Sequence, residues 1–226
     1  MSINNVWEEL FKSKAWGKYP SEDLIRFIAR NFYAVPNRKE IKILEIGSGT
    51  GANVWYLLNE DFTVYAVEGS STGIELMKSR IQKDANLDIH NLHAVQGDIE
   101  KLPFESNFFD AVIDIQAIYS NDWKKSKNII QEVARVLKDD GKFYSRHFAI
   151  NSSGYGTGEK IENNTYIPTE GVLVGTGQAR FASKDDVYQL YGDYFNLNEL
   201  EQGIRTVDNL ENKVIEWNIS MIKKGD

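Results

Sequence analysis

Ile43-Leu44-Glu45-Ile46-Gly47-Ser48-Gly49-Thr50-Gly51 is the stretch whose reading sets the fold of this chain. Ile41–Ile46 is short, apolar and rich in isoleucine, as a strand buried on both faces requires. Glycines at 47, 49 and 51 end it, and Ala52–Leu58 then reads as a helix. A strand, a glycine turn and a helix in that order make the opening unit of a parallel α/β sheet. Glycine belongs in such a turn because a Cβ would keep a ligand away from the backbone.

The same alternation repeats downstream. Thr63–Val67 reads as a strand ending at Glu68-Gly69, with Ser71–Gln82 as its helix. Leu92–Val95 is a third strand ending at Gly97-Asp98, and Phe109–Ile115 a fourth. A helix follows through Ile129, Ile130, Val133, Val136 and Leu137, closed by Asp139-Asp140-Gly141, and Lys142–Phe148 is a fifth strand. Right-handed crossovers then give a doubly wound α/β fold with helices on both faces of the sheet.

The flanks read differently. Residues 1–38 carry helical spacing, with Ser21 as an N-cap before Glu22 and Asp23, and form an N-terminal helical cap. Ile150–Ala182 holds six glycines and no long apolar run, so an irregular lid or acceptor loop is expected. Ser183 caps a helix through Tyr191, and Leu197–Val207 with Val214–Lys223 reads as a closing antiparallel hairpin. The expectation is one domain over residues 1–226: the cap, a core at 40–149, the loop at 150–182 and the closing helix and hairpin at 183–226.

Composition narrows the function. The chain has 226 residues, 42% hydrophobic and 26% charged, in the globular range. Lys+Arg 26 against Asp+Glu 33 gives a net charge of −7, the wrong sign for a surface built to neutralise phosphates, so no nucleic-acid partner is expected. The absence of cysteine excludes zinc-thiolate, iron–sulfur and cysteine-nucleophile chemistry. Three histidines make no metal cluster, and no metal is expected. Met1–Leu10 lacks the basic and apolar regions of a leader, and no run is apolar enough to span a bilayer, so a cytoplasmic location without a membrane partner is expected.

Alone, the glycine loop also fits a dinucleotide fingerprint as Gly47-x-Gly49-x-x-Ala52, which leaves a nicotinamide oxidoreductase open. Glu68, at the end of the second strand, is placed to accept from two ribose hydroxyls. Asp98 suits an adenine amine, with Ile99 against the ring. Asp98 and Glu45 together decide between the two: a carboxylate in a doubly buried strand asks for a cationic ligand group, and a pyrophosphate would worsen its position.

Glu45–Gly51, Glu68, Gly97-Asp98, Phe109–Ile115 and Leu137–Phe143, in this order, resemble the motifs of class I S-adenosylmethionine-dependent methyltransferases. The resemblance covers roughly residues 40 to 150. It implies a Rossmann-like seven-stranded sheet of order 3-2-1-4-5-7-6 with the last strand antiparallel. It also implies S-adenosylmethionine as cofactor, with S-adenosylhomocysteine as product. Gly47, Ser48, Gly49 and Gly51 would line the methionine moiety and Glu45 would face its ammonium. Glu68 with Gly69 would hold the ribose, Asp98 with Ile99 the adenine, and Ile115 with Gln116 the floor. Tyr19 is expected to close over the cofactor, while Trp7 and Trp55 are expected to be packing residues.

For the acceptor, the segment Asp114–Ser120 lacks the Asn/Asp-Pro-Pro-Tyr/Phe run that amino-methylating nucleic-acid enzymes resemble. With the acidic charge, this points to O- or N-methylation of a small molecule. Trp16–Ser21 and the 150–182 loop resemble methyltransferases of sugar and surface-polysaccharide pathways. His147 is the expected base, with Tyr119 as its competitor, and Arg146, Tyr155 and Tyr166 are expected to contact the acceptor. The competing classes are an NAD(P)-dependent oxidoreductase and a non-catalytic S-adenosylmethionine-binding protein.

Overall fold

In a computed structural model, which describes residues 3–225, the glycine-loop strand lies inside a mixed sheet. β1 (Lys42–Ile46), β2 (Thr63–Glu68), β3 (Leu92–Gln96), β4 (Phe109–Ile115) and β5 (Leu137–Phe148) pair in parallel in the order β3-β2-β1-β4-β5. A separate antiparallel sheet follows, made of β6 (Glu159–Glu162), β7 (Thr165–Ile167) and β8 (Ala179–Arg180). β9 (Phe195–Val207) and β10 (Asn212–Lys223) then extend the main sheet, with β10 antiparallel to β5 and to β9. Counted within the seven-stranded sheet alone, the order is the expected 3-2-1-4-5-7-6.

The helices are α1 (Ile3–Ser13), α2 (Glu22–Phe32), α3 (Ala52–Asn59), α4 (Ser71–Lys83), α5 (Trp123–Val136) and α6 (Lys184–Tyr191). Successive strand residues face opposite ways, so β4 sends Ile113 to a core shared with α2, α3 and α4, and Val112 to one shared with α5 and α6. The first core holds Leu24, Ile28, Leu57 and Met77, and the second Ile130, Val133, Leu190 and Met221, all buried. Ser21 caps α2 by accepting from the Leu24 amide, and Ser183 with Asp186 forms a capping box on α6. Among the described residues no helix is long and apolar enough to cross a membrane.

Two expectations are corrected. Residues 150–182 are not irregular throughout, because they contain the β6-β7-β8 sheet. Asn163-Asn164 joins β6 to β7, with Asn164 at φ 54°, and an asparagine-rich two-residue connection is itself a hairpin signal. Asp139-Asp140-Gly141 does not separate α5 from β5, since the strand already begins at Leu137, paired with Phe109. A register irregularity between Phe109 and Ala111, with Asp140 at φ 58°, takes up the extra residues as a bulge.

Candidate active site

The loops that leave the carboxyl ends of β1, β2, β3 and β4 converge on a cavity of about 1100 Å³. Ligands collect at this edge of an open α/β sheet, where crossovers leave in opposite directions from neighbouring strands. The volume exceeds the roughly 300–1,000 Å³ of a typical small-molecule site, which leaves room for two ligands side by side.

Backbone geometry builds one end. The Gly47 amide donates to the Val67 carbonyl at 2.8 Å, tying the glycine loop to β2. Gly47 sits at φ 65°, and a Cβ there would lie 2.3 Å from the Ala117 Cβ, so only glycine lets the loops after β1 and β4 meet. Gly51, at φ 79°, instead begins α3, and a Cβ there would strike Met77.

Two carboxylates lie under this loop. Glu45 is 2% exposed; its Oε1 accepts from Asn53 Nδ2 at 2.7 Å, and its Oε2 has no partner. Burial is the main cause that pushes its pKa up to about 8, against the opposing Asn53 bond, while Glu68 and Asp114 raise it further. The Ser48 hydroxyl is also buried without a partner. Glu68 accepts from the Gly49 amide at 2.7 Å and from the Ser70 amide at 2.8 Å. Burial nevertheless holds its pKa above the usual carboxylate range. Each Glu68 oxygen keeps a lone pair for a ligand hydroxyl.

α1 roofs this end. Glu8 accepts from Ser70 Oγ at 2.5 Å and Thr72 Oγ1 at 2.6 Å, which docks α1 on the start of α4 and lowers the Glu8 pKa to about 2, the Ser70 bond first. That docking brings Trp7, Phe11 and Trp16 over the cavity, with ring centroids 5.6–5.7 Å apart.

Most of the expected residues line the cavity: Tyr19, Glu45, Gly47, Ser48, Gly49, Glu68, Gly69, Asp98, Ile99, Ile115 and Gln116, with Tyr119 and Arg146 farther along. Tyr19 is a rim residue, 72% exposed and edge-on to Trp55. Asp98 Oδ1 accepts from the Glu100 amide at 2.9 Å, which shapes the turn after β3. Tyr119 is buried, and desolvation pushes its phenol far above the usual range.

Four expectations are corrected by the packing. His147 is fully buried and does not line the cavity, because β5 alternates and sends Arg146 and Phe148 there instead. Burial, then the neighbouring Arg180 charge, lowers the His147 pKa to about 3, so it is neutral and shielded. Tyr155 and Tyr166 pack on each other and on Phe181 beneath the small sheet, outside the cavity. Gly51 turns the chain into α3 and is not a cavity residue. Trp7 packs as expected, on Phe11 and Trp16, and it also lines the cavity as part of the roof.

Several cavity features escape the sequence. Glu216 on β10 accepts from Gln116 Nε2 and from Arg146 Nη2, linking the ends of β4, β5 and β10. Gln116 reaches it from a left-handed conformation, φ 63°, which is uncommon outside glycine. Asn53 and Arg205 also line the cavity. The alternation Val214, Glu216, Asn218 marks one face of β10, but nothing local says which face meets a ligand.

Comparison with known proteins agrees with this architecture. A family model described as a methyltransferase domain matches residues 44–145. The chain is 29% identical over 128 residues to a fatty-acid O-methyltransferase of Mycolicibacterium smegmatis, covering 54% of this chain and 44% of that protein. It is 23% identical over 184 residues to a tRNA N(3)-cytidine methyltransferase of Gallus gallus, covering 78% of this chain and 46% of that one. The chain thus spans about half the length of these curated relatives. A solved S-adenosylmethionine-dependent methyltransferase from Methanosarcina mazei superposes with a TM-score of 0.74 at 18% identity, covering 92% of this chain and 100% of that one. Sheet order and the superposed solved structure agree on the fold, and the methyltransferase-domain model matches the stretch that carries the glycine loop and the parallel core.

Proposed function

We propose that the chain transfers the methyl group of S-adenosylmethionine to a small-molecule acceptor by in-line displacement. The observation that carries this reading is the buried, partnerless Glu45 Oε2 beneath the glycine loop, at one end of a cavity that continues well beyond it. Glu45 would take the methionine ammonium, whose charge relieves the cost of the buried carboxylate. Gly47, Ser48 and Gly49 would line the methionine moiety, Glu68 and Gly69 the ribose, Asp98 and Ile99 the adenine, and Ile115 and Gln116 the floor. Bound there, the cofactor supplies a sulfonium-activated methyl group.

The chain's own contribution is alignment and exclusion of water. Trp7, Phe11 and Trp16 cover the donor end, while Leu173, Thr176 and Gln178 reach the acceptor end from the 150–182 lobe. That lobe acts as the acceptor-side lid. A small acceptor is supported by the extent of the cavity beyond the glycine loop and by the net charge of −7, which repels a phosphate backbone. The fatty-acid O-methyltransferase likeness points the same way. The tRNA methyltransferase likeness supports RNA as the competing acceptor.

The test is titration with S-adenosylhomocysteine by calorimetry, followed by radiolabelled methyl transfer into a small-metabolite extract and into a tRNA pool. Micromolar binding with label in the extract is expected. Label only in tRNA would replace the acceptor, and absence of binding would remove the donor.

A further inference from the structure

The inference rests on the reading that the cavity takes a methyl donor and a small acceptor, and it names the acceptor's chemistry. β5, β9 and β10 form the wall opposite the glycine loop. Register pairs Glu216 with Phe148 and Val214 with Arg205, so these side chains share one face with Arg146, and all five line the cavity. The wall therefore carries two guanidinium groups and one carboxylate.

The carboxylate is already committed. Glu216 accepts from Gln116 through Oε1 and from Arg146 through Oε2, so it anchors Arg146 and leaves Arg205 uncompensated. Arg205 is exposed and has no carboxylate within ion-pair distance among the described residues. The Arg146 Nε is buried and has no acceptor. A guanidinium offers five donors, and Arg146 makes one side-chain bond. Apolar surface adjoins these free donors, from Phe148, Val214, Val172 and Leu173. In a chain of net charge −7, an uncompensated positive wall inside a cavity is a specific feature.

We propose that this wall is an anion subsite, and that the acceptor is a small carboxylic acid with an apolar body. Its carboxylate sits against Arg146 and Arg205, and its body against Phe148, Leu173 and Val214. The planar fork of arginine matches a carboxylate with two parallel hydrogen bonds, and the same wall repels an ammonium.

The test uses the full chain saturated with S-adenosylhomocysteine. Straight-chain acids from butanoate to dodecanoate, their amides and the corresponding alkylamines are titrated by calorimetry. The acids should bind more tightly as they lengthen, with amides roughly tenfold or more weaker, the loss of a charge-assisted contact. Arg205→Gln is exposed and leaves the fold intact. It should weaken acid binding by a similar factor, with S-adenosylhomocysteine affinity unchanged, and Arg146→Gln should do at least as much. Equal binding of acids and amides, no binding by any acid, or an unaffected Arg205→Gln would overturn the proposal. Failure of S-adenosylhomocysteine to bind would instead strike the donor reading, and acid titration of the ligand-free chain still reads the subsite.

Discussion

Asn53 Nδ2 donates to Glu45 Oε1 at 2.7 Å, and the second oxygen of that carboxylate stays buried with nothing to accept from. One hydrogen bond from α3 orients the Glu45 side chain without satisfying it. Burial raises the Glu45 pKa to about 8, so at neutral pH the ligand-free chain holds this carboxyl protonated. In the proposed reading an incoming ammonium favours the ionised form, so cofactor binding is expected to release a proton.

Glu45→Gln tests that linkage in two ways. Between the ordinary carboxyl pKa of 4.5 and about 8, the folded chain holds a proton that the unfolded chain has lost, so ligand-free stability falls as pH rises through this window. The glutamine variant should be flatter, and more stable than the parent at pH 8. Wild-type binding of S-adenosylhomocysteine near pH 7 should release a proton, seen by calorimetry in buffers of different ionisation heat, and the variant should release none. Its affinity should fall by about 1.5–3 kcal/mol, the range for a hydrogen bond to a charged group.

Glu68→Gln separates loop-holding from ribose-holding. Both Glu68 oxygens accept backbone N–H groups, and an amide nitrogen in place of one oxygen turns one of those contacts into donor against donor. Stability should drop by about 1–3 kcal/mol, the cost of an unsatisfied buried group. S-Adenosylhomocysteine binding should weaken by at least as much. A variant that loses stability and keeps its affinity would confine Glu68 to the loop.

Gly47→Ala places a methyl group 2.3 Å from Ala117 Cβ at a positive φ. The loops after β1 and β4 must separate, and stability should fall by about 1–3 kcal/mol, the usual cost of a strained backbone site. Denaturant melts measure the loss, and cofactor affinity should fall with it.

His147→Phe should leave turnover on the true acceptor within a few-fold of wild type, because His147 does not line the cavity. Its signature lies in acid stability. With the folded pKa at about 3 and the ordinary value at 6.5, the unfolded chain binds the extra proton between them. Stability therefore rises with pH across that window, and is lost as pH falls from 6.5 toward 3. Thermal melts of the phenylalanine variant should show a shallower acid limb.

Glu8→Ala should release the roof. Glu8 holds α1 to Ser70 and Thr72, and without it Trp7 and Phe11 lose their position over the cavity. Hydrogen exchange in α1 should quicken, and S-adenosylhomocysteine should bind more weakly while the sheet stays protected. Unchanged exchange would show that aromatic packing alone holds the roof.

By itself the sequence determined the parallel core and the glycine-loop end of the cavity. Ile43–Ile46 into Gly47–Gly51, Glu68 at the end of β2 and Asp98 just past β3 are local signals, because a βα turn is built from contiguous residues and each strand end lies beside the next at this edge of the sheet. Asn163-Asn164 was equally local as a hairpin signal, though glycine-rich surroundings masked it. The opposite end was decided by tertiary structure alone. Whether Arg146 or His147 faces the cavity depends on which side of β5 meets α5 and α6, a difference of one residue in a strand of period two. Glu216 and Gln116 lie 100 positions apart and meet only because β10 inserts antiparallel beside β5. Trp7 joins the site through the docking of α1 on α4 and its packing on Phe11 and Trp16. Such pairings come from packing between distant segments, which no local pattern of residues encodes.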